Sequence, residues 1–271
     1  MWSDPFERWA ALQASSTDAS NRLDEAVDLA FWERVADTYD ADALARRVPA
    51  VLERVRQLVP PGATLLEVGA GTGAFTVPLA ATACRVTALD HSPAMLRVLE
   101  RKLSERPAPR TITSVLSRWE DADIEPHDVV LAANALYRTR ELRPALAKLV
   151  HAARKRGIVV WSVGRQDAPQ HAVREQVSPG RYRPGPDYVH LVDGLFGLDV
   201  FAHVEIIEVD DTQHFACDRD AVEALLSWQP IEVEEHHQAA ALLPHVLERD
   251  ASGWIWRRRG RIALVWWDRS A

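Results

Sequence analysis

The sequence predicts an α/β fold, a mostly parallel seven-stranded sheet with helices on both faces. Three observations carry this expectation. Short runs rich in Val, Ile and Leu alternate with amphipathic helical stretches between residues 64 and 163, the rhythm of parallel strands joined by helical crossovers. The first run, "TLLEV", leads into three glycines within five residues, Gly69, Gly71 and Gly73. Glycine weakens both helix and strand, so such a run marks a place where something approaches the backbone closely. Two β-like runs near the C terminus, 201–209 and 261–268, supply closing strands.

The elements follow in order. Residues 1–30 are polar and Ala-rich and read as helical, with Trp2, Phe6 and Trp9 as packing anchors. From 29 to 59 apolar residues recur at helical spacing in at least two helices, which "PPG" at 60–62 stops. "TLLEVG" is a buried strand and "AFTVPLAAT" a helix; "RVTALD" is the second strand. "SPAMLRVLERKLSE" is a helix with Ser92 as N-cap and Pro93 at its first position. "TITSVL" and "HDVVLAAN" are the third and fourth strands, "ELRPALAKLVHAAR" a helix and "GIVVWSV" the fifth strand. Residues 165–186 read as a polar loop, and "YVHLVDGLFGL" as a helix. The two closing strands are expected to be antiparallel, around a helical and Trp-rich insertion.

Composition bounds the function. At 271 residues, 47% hydrophobic and 26% charged, the chain is an ordinary globular protein with one large domain or a domain carrying an insertion. Its net charge of -7 argues against a general grip on nucleic acid, which needs a basic face. Lys102, Lys148 and Lys155 are the only lysines among 32 basic residues; with abundant Ala and Val this suggests a GC-rich bacterial genome. Cys84 and Cys217 stand far apart in no metal-like spacing, which fits a reduced, cytoplasmic compartment. "MWSDPFERW" lacks the pattern of a secretory signal, and the longest uncharged stretch, 68–84, is too short and Gly-rich for a membrane helix.

The glycine loop admits two readings. Gly69, Gly71 and Ala74 satisfy a dinucleotide pattern, with Asp90 about twenty residues on as the ribose acid. The alternative is E-x-G-x-G-x-G, Glu67 through Gly73. In this second form the sequence resembles the class I S-adenosylmethionine-dependent methyltransferase family, with a Rossmann-like fold. The resemblance covers about residues 30–165 and the closing strands. "WERVADTYD" at 32–40 resembles the helix before the first motif, whose Tyr, here Tyr39, covers the cofactor. "ALDHSPAML" at 88–96 resembles the second motif, with Asp90 and the adjoining His91 at the ribose. "SRWEDADI" at 117–124 resembles the adenine loop, and "HDVVLAANALY" at 127–137 the fourth-strand motif beside the transferred methyl.

The resemblance implies S-adenosyl-L-methionine as cofactor, held by Tyr39, Glu67, Gly69, Ala70, Gly71, Gly73, Asp90, His91, Trp119, Glu120 and Asn134. Trp119 would stack on adenine, with Glu120 near its exocyclic amine; core packing is the equal alternative for Trp119. The proline-containing motif of branches that methylate nucleic acid and glutamine is missing from "AANALY", so a small-molecule acceptor is expected and nucleic acid is not. Tyr137, Tyr182, Tyr188 and His190 are candidate bases, and Arg181 and Arg183 could receive an anion or simply face solvent. "EEHH" at 234–237 reads as a solvent-facing helix rather than a metal site, and no metal is expected. "WRRRGRI" at 256–262 reads as a basic turn, while Trp228, Trp254 and Trp256 either wall a substrate or staple the insertion.

Residues 1–60 are thus expected to cover the cofactor site. The core is 61–165 with 200–210 and 260–271, and 166–199 with 211–259 form a substrate-lining cap. The expected activity is in-line methyl transfer. Alternatives are transfer of an aminopropyl or aminobutyryl group of the same cofactor, non-catalytic cofactor binding in regulation, and NAD-dependent oxidation. No membrane association is expected, and the oligomeric state stays open, a homodimer included.

Overall fold

A computed structural model describes residues 4–17, 24–41, 43–105, 111–163, 169–181, 183–210, 212–226, 233–257 and 259–269. Five parallel strands form the first part of the sheet: β1 (Thr64–Val68), β2 (Arg85–Asp90), β3 (Ile112–Leu116), β4 (His127–Ala133) and β5 (Ala153–Val163). With β6 (His203–Asp210) and β10 (Arg259–Asp268) they make a seven-stranded sheet in the order β3-β2-β1-β4-β5-β10-β6. The expected antiparallel pairing of the closing strands holds between β10 and β6, and also between β10 and β5. It follows that β10 alone runs against the sheet, and β6 runs with the first five strands. The chain leaves β1 toward β2 and β3 on one side and resumes at β4 on the other. Loops after β1 and β4 therefore part, leaving a crevice at the carboxyl ends of the strands.

Strand alternation sends Leu66 and Val68 to one face and Leu65 to the other. The first face is covered by α1 (Pro5–Ser15), α6 (Leu142–Ala152) and α8 (Tyr188–Phe196), whose Trp9, Leu146 and Leu191 are fully buried with Val130 and Val265. On the second lie α3 (Ala43–Leu58), α4 (Thr76–Leu79) and α5 (Pro93–Ser104), contributing Val51, Val55, Leu79 and Leu99. Asp4 caps α1 through the Phe6 amide at 2.7 Å, and Ser92 caps α5 through Met95 at 3.3 Å. α2 (Glu25–Val35) is followed by a short 3-10 turn, Tyr39–Ala41, and packs on α5. Trp2 lies outside the described residues.

Two expectations are corrected here. The helix after the glycine loop is a single turn: Gly73 holds φ at 84°, outside the helical region, and α4 runs only from Thr76 to Leu79. The polar loop at 165–186 contains a helix, α7 (Pro169–Val177). Val173 of α7 is buried with α9 (Asp218–Leu226) and α10 (Val233–Val246) in a separate core. That insertion also holds a three-stranded sheet of β7 (Gln213–Phe215), β8 (Glu248–Asp250) and β9 (Gly253–Trp256). Trp254 and Trp256 sit in its core, and Trp254 donates to Asp218 at 2.7 Å, so they staple the insertion rather than wall a substrate. Trp228 lies outside the described residues. Within 166–199, α8 packs on α1 and α6 instead of on the insertion helices.

Candidate functional site

β1 ends beside the fully covered Glu67, which is 1% exposed and accepts a hydrogen bond from the Thr76 hydroxyl at the start of α4. Burial, reinforced by the charge of Asp90, pushes the Glu67 carboxyl up to about 8. The next residues turn sharply. Gly69, Gly71 and Gly73 have φ of 72°, 55° and 84°, the left-handed region where a Cβ is strained. Their surroundings differ. A Cβ on Gly69 would lie 2.5 Å from Ala135 Cβ, and one on Gly73 would collide with Leu99, so these two serve close packing. A Cβ on Gly71 meets nothing within 4 Å, so this backbone alone of the three opens onto free space. The buried Ala70 donates its amide to Leu89 at 3.0 Å, pinning the loop to β2.

Asp90 closes β2 at 6% exposure. Its Oδ2 accepts from the Gly71 amide and its Oδ1 from the Ser92 amide, both at 2.8 Å. Desolvation pushes the carboxyl up, against the lowering effect of the Ser92 and Gly71 bonds. His91 follows, with Nε2 2.7 Å from Asp28 of α2 and Nδ1 3.6 Å from Asp90. Asn134, just beyond β4, has φ 49°; its amide donates to Val160 at 2.8 Å and its side-chain oxygen accepts from the Ser162 amide at 2.9 Å. Asn is one of the few residues that tolerates this conformation.

The N-terminal helices hold the loops around the crevice. Trp9 donates to the Thr139 carbonyl at 2.6 Å and Gln13 to that of Tyr137 at 2.5 Å, fixing the segment after β4. Asp40 of the 3-10 turn accepts from the Thr72 hydroxyl at 2.6 Å and pairs with Lys102, which also donates to the Thr72 carbonyl at 2.8 Å. Tyr39 lies edge-on to Trp32, ring centres 5.8 Å apart, and packs on the α5 cluster of Ala94, Met95 and Val98.

Other expected residues lie elsewhere. Trp119 is buried in the core, its indole N–H donating to the Ala145 carbonyl at 3.1 Å and Lys148 Nζ standing 4.7 Å from its ring. That environment corrects the adenine-stacking expectation in favour of packing. Trp119→Phe should therefore lower stability by about 1–3 kcal/mol, through the lost bond and the small void. Ligand affinity in titration calorimetry should stay unchanged; a tenfold loss with an unaltered melting temperature would return Trp119 to the crevice. Glu120 is exposed, 3.8 Å from Arg118. Tyr137 is half-buried against the core beside Arg138. Tyr188 begins α8 and packs on the same core; His190 Nδ1 accepts from the Asp187 amide at 3.0 Å in a capping box. A cap, not a base, is what this contact makes of His190. Tyr182 lies outside the described residues.

The charged motifs are neutralised locally. Arg181 pairs with Glu235 of the "EEHH" stretch at 2.9 Å, and no cluster of three metal-ligating side chains occurs among the described residues. Arg183 is exposed, its backbone bonded to Thr17. In the basic turn Arg257 pairs with Glu248 at 2.9 Å and Arg261 lies 3.8 Å from Glu208. Sequence reasoning missed Asp28, Arg138, Thr72 and Lys102. Thr72, inside the glycine motif, and its acceptor Asp40, inside "WERVADTYD", lay in motifs that could have drawn attention to them.

Comparison with known proteins finds a likeness over the part of the chain that carries this geometry. Residues 66–159, from β1 to β5, match a family model described as a methyltransferase domain. This stretch of the chain is thus similar to a methyltransferase domain. A protein of Haemophilus influenzae described as uncharacterized shares 31% identity over 149 residues, 54% of each chain. The malonyl-[acyl-carrier protein] O-methyltransferase of Anoxybacillus flavithermus shares 30% over 137 residues, 49% of this chain and 50% of the relative. The chain thus spans about half the length of the curated relatives it matches. The fold is shared with the magnesium protoporphyrin IX methyltransferase of Synechocystis PCC 6803, solved with S-adenosylhomocysteine bound, at TM-score 0.52 and 15% identity, covering 83% of each chain.

Proposed function

We propose that the chain is an S-adenosylmethionine-dependent methyltransferase acting on a small-molecule acceptor. The observation that carries this reading is the pairing of Gly71, whose backbone faces open space, with the buried Asp90 carboxylate bonded to its amide. An adenosine-bearing ligand fits both features: the loop lets its ribose approach, and Asp90 can accept from the diol. Gly69, Ala70 and Gly73 shape that loop, Glu67 holds it through Thr76, and Asn134 borders the opposite wall. His91 and Tyr39 stand at the rim, under α2 and the turn after it.

When bound, the sulfonium cofactor supplies an electrophilic methyl group. The chain's own part is to orient and to exclude water, and orientation alone lowers a barrier by about 7–11 kcal/mol. The segment after β4, fixed by Trp9 and Gln13, is placed to position the acceptor. The insertion follows the carboxyl ends of β5 and β6, the edge that holds the crevice, which supports a role in lining the acceptor site. The paired arginines of the basic turn support a small acceptor over nucleic acid.

Isothermal titration with S-adenosylhomocysteine, and NADH in parallel, tests the reading. Micromolar binding of the first alone is expected; binding of NADH alone would make the chain an oxidoreductase. Asp90→Asn keeps the side-chain shape and should weaken S-adenosylhomocysteine at least tenfold, since a charge-assisted bond contributes about 1.5–3 kcal/mol. Unchanged affinity would remove Asp90 from the ribose role. A small-molecule acceptor screen with the radiolabelled methyl donor then separates turnover from mere binding.

A further inference from the structure

Three side chains from separate parts of the chain meet beyond the carboxyl ends of β2 and β4. Asp28 belongs to α2, His91 follows β2, and Arg138 lies in the segment after β4. Asp28 is 2% exposed, and its Oδ2 is bonded to His91 Nε2 at 2.7 Å and to the Trp32 indole N–H at 3.1 Å. The same oxygen pairs with Arg138 Nη1, and Arg138 Nη2 stands 3.4 Å from His91 Nε2. The guanidinium also lies over the rings of Trp32 and Tyr137, 5.9 and 5.4 Å from their centres.

The sheet order gives this cluster its meaning. β2 and β4 are not neighbours, because β1 runs between them. At about 4.8 Å per strand, the contact from Arg138 to His91 spans roughly 10 Å of sheet edge. It passes over the end of β1, where Gly69 to Gly73 turn. A ligand lying from Asp90 to Asn134 would run beneath this bridge. We propose that the Asp28–Arg138 pair is a latch: the crevice exchanges its ligand only when the pair parts and α2 lifts. This rests on the cofactor reading above and adds the gating of that same site.

Burial decides which contact controls the motion. α2 and its C-terminal flank also carry Glu33–Arg97 and Asp37–Arg101, but all four side chains are more than half exposed, and such pairs contribute little. α2 and its C-cap also rest Trp32, Val35 and Ala36 on Ala94, Met95 and Val98 of α5, but Asp28 is the helix's buried residue, so parting it from Arg138 is the costly ionic step in lifting the helix.

The test compares the wild-type chain with Asp28→Asn, Arg138→Gln and the double variant, by stopped-flow binding of S-adenosylhomocysteine. Association and dissociation should both accelerate about tenfold in each single variant while the dissociation constant stays within about threefold. The double variant should add nothing further. Rates unchanged from wild type would overturn the latch. So would a faster dissociation alone with proportionally weaker binding, which marks a ligand contact. Hydrogen exchange of the amides at 25–35, measured without ligand, gives an independent readout. Asp28→Asn should raise it at least tenfold, and unchanged exchange would overturn the latch even for a folded chain with normal binding. A wild-type chain that binds no S-adenosylhomocysteine would overturn the cofactor reading instead, and the exchange data would then decide the latch alone.

Discussion

Replacing Glu67 with Gln is expected to flatten the pH dependence of stability between about pH 5 and pH 9. Glu67 is a carboxyl whose folded pKa, about 8, lies far above its ordinary value of 4.5. The folded chain therefore holds a proton here that the unfolded chain has already released. Stability from this group is complete below about pH 4.5 and is lost as pH rises through 8. At about 1.4 kcal/mol per unit, the full loss is on the order of 4–5 kcal/mol. Gln presents a carbonyl to the Thr76 hydroxyl without a titrating proton. Urea unfolding at pH 5 and pH 9 should show the wild type losing several kcal/mol more than the variant. Asp90, also pushed up by burial, leaves a slope of the same sign in both proteins. Asp4, Asp128 and Asp250 are shifted downward and act at lower pH, outside the window. Parallel profiles would mean that Glu67 ionises without cost, through water or a cation reaching its second oxygen.

Gly69→Ala should damage stability and ligand binding together. A residue with a Cβ at φ 72° costs about 1–2 kcal/mol. The added carbon would lie 2.5 Å from Ala135 Cβ, an atom fixed to the backbone that no rotamer change can withdraw. Overpacking of this kind costs typically about 1–3 kcal/mol more. Relief requires the loop and the segment after β4 to move apart, which displaces Gly71 from Asp90. The expected outcome is a loss of about 2–5 kcal/mol in chemical denaturation and no measurable S-adenosylhomocysteine binding. Gly62→Ala supplies the control: φ is 75° there too, but nothing lies within 4 Å of the new Cβ. It should incur only the conformational cost and keep full affinity. Equal effects at the two positions would show that steric contact with Ala135 is irrelevant.

The contrast between these glycines also shows what the sequence carried. Strand positions were legible because β1, β2 and β4 are covered on both faces and so read as short, mostly apolar runs without strict alternation. The N-cap Ser92 was legible because capping is a local bond. The loop was legible as a special place, but its three glycines looked alike. What separates them is the distant Ala135 and Leu99, and tertiary neighbours leave no local mark. The same limit applied to Trp119, whose partner Ala145 lies 26 residues away. It applied as well to the small sheet in the insertion, where β8 is three charged residues with no apolar signature. Asp28 and Arg138 were invisible for a further reason. Each is a charged residue in an ordinary stretch, and only the sheet order brings them together.

The register of the last two strands has an evolutionary consequence. Arg259, the first residue of β10, sits opposite Asp210, the last of β6. The segment between Asp210 and Arg259 therefore leaves the sheet and returns to it at adjacent points, as an oversized hairpin loop that shares its core with α7. A tight turn would close the same gap without shifting any pairing. Such a junction lets a lineage lengthen or trade the inserted module, together with α7 that packs on it, while strand order and glycine loop are inherited untouched.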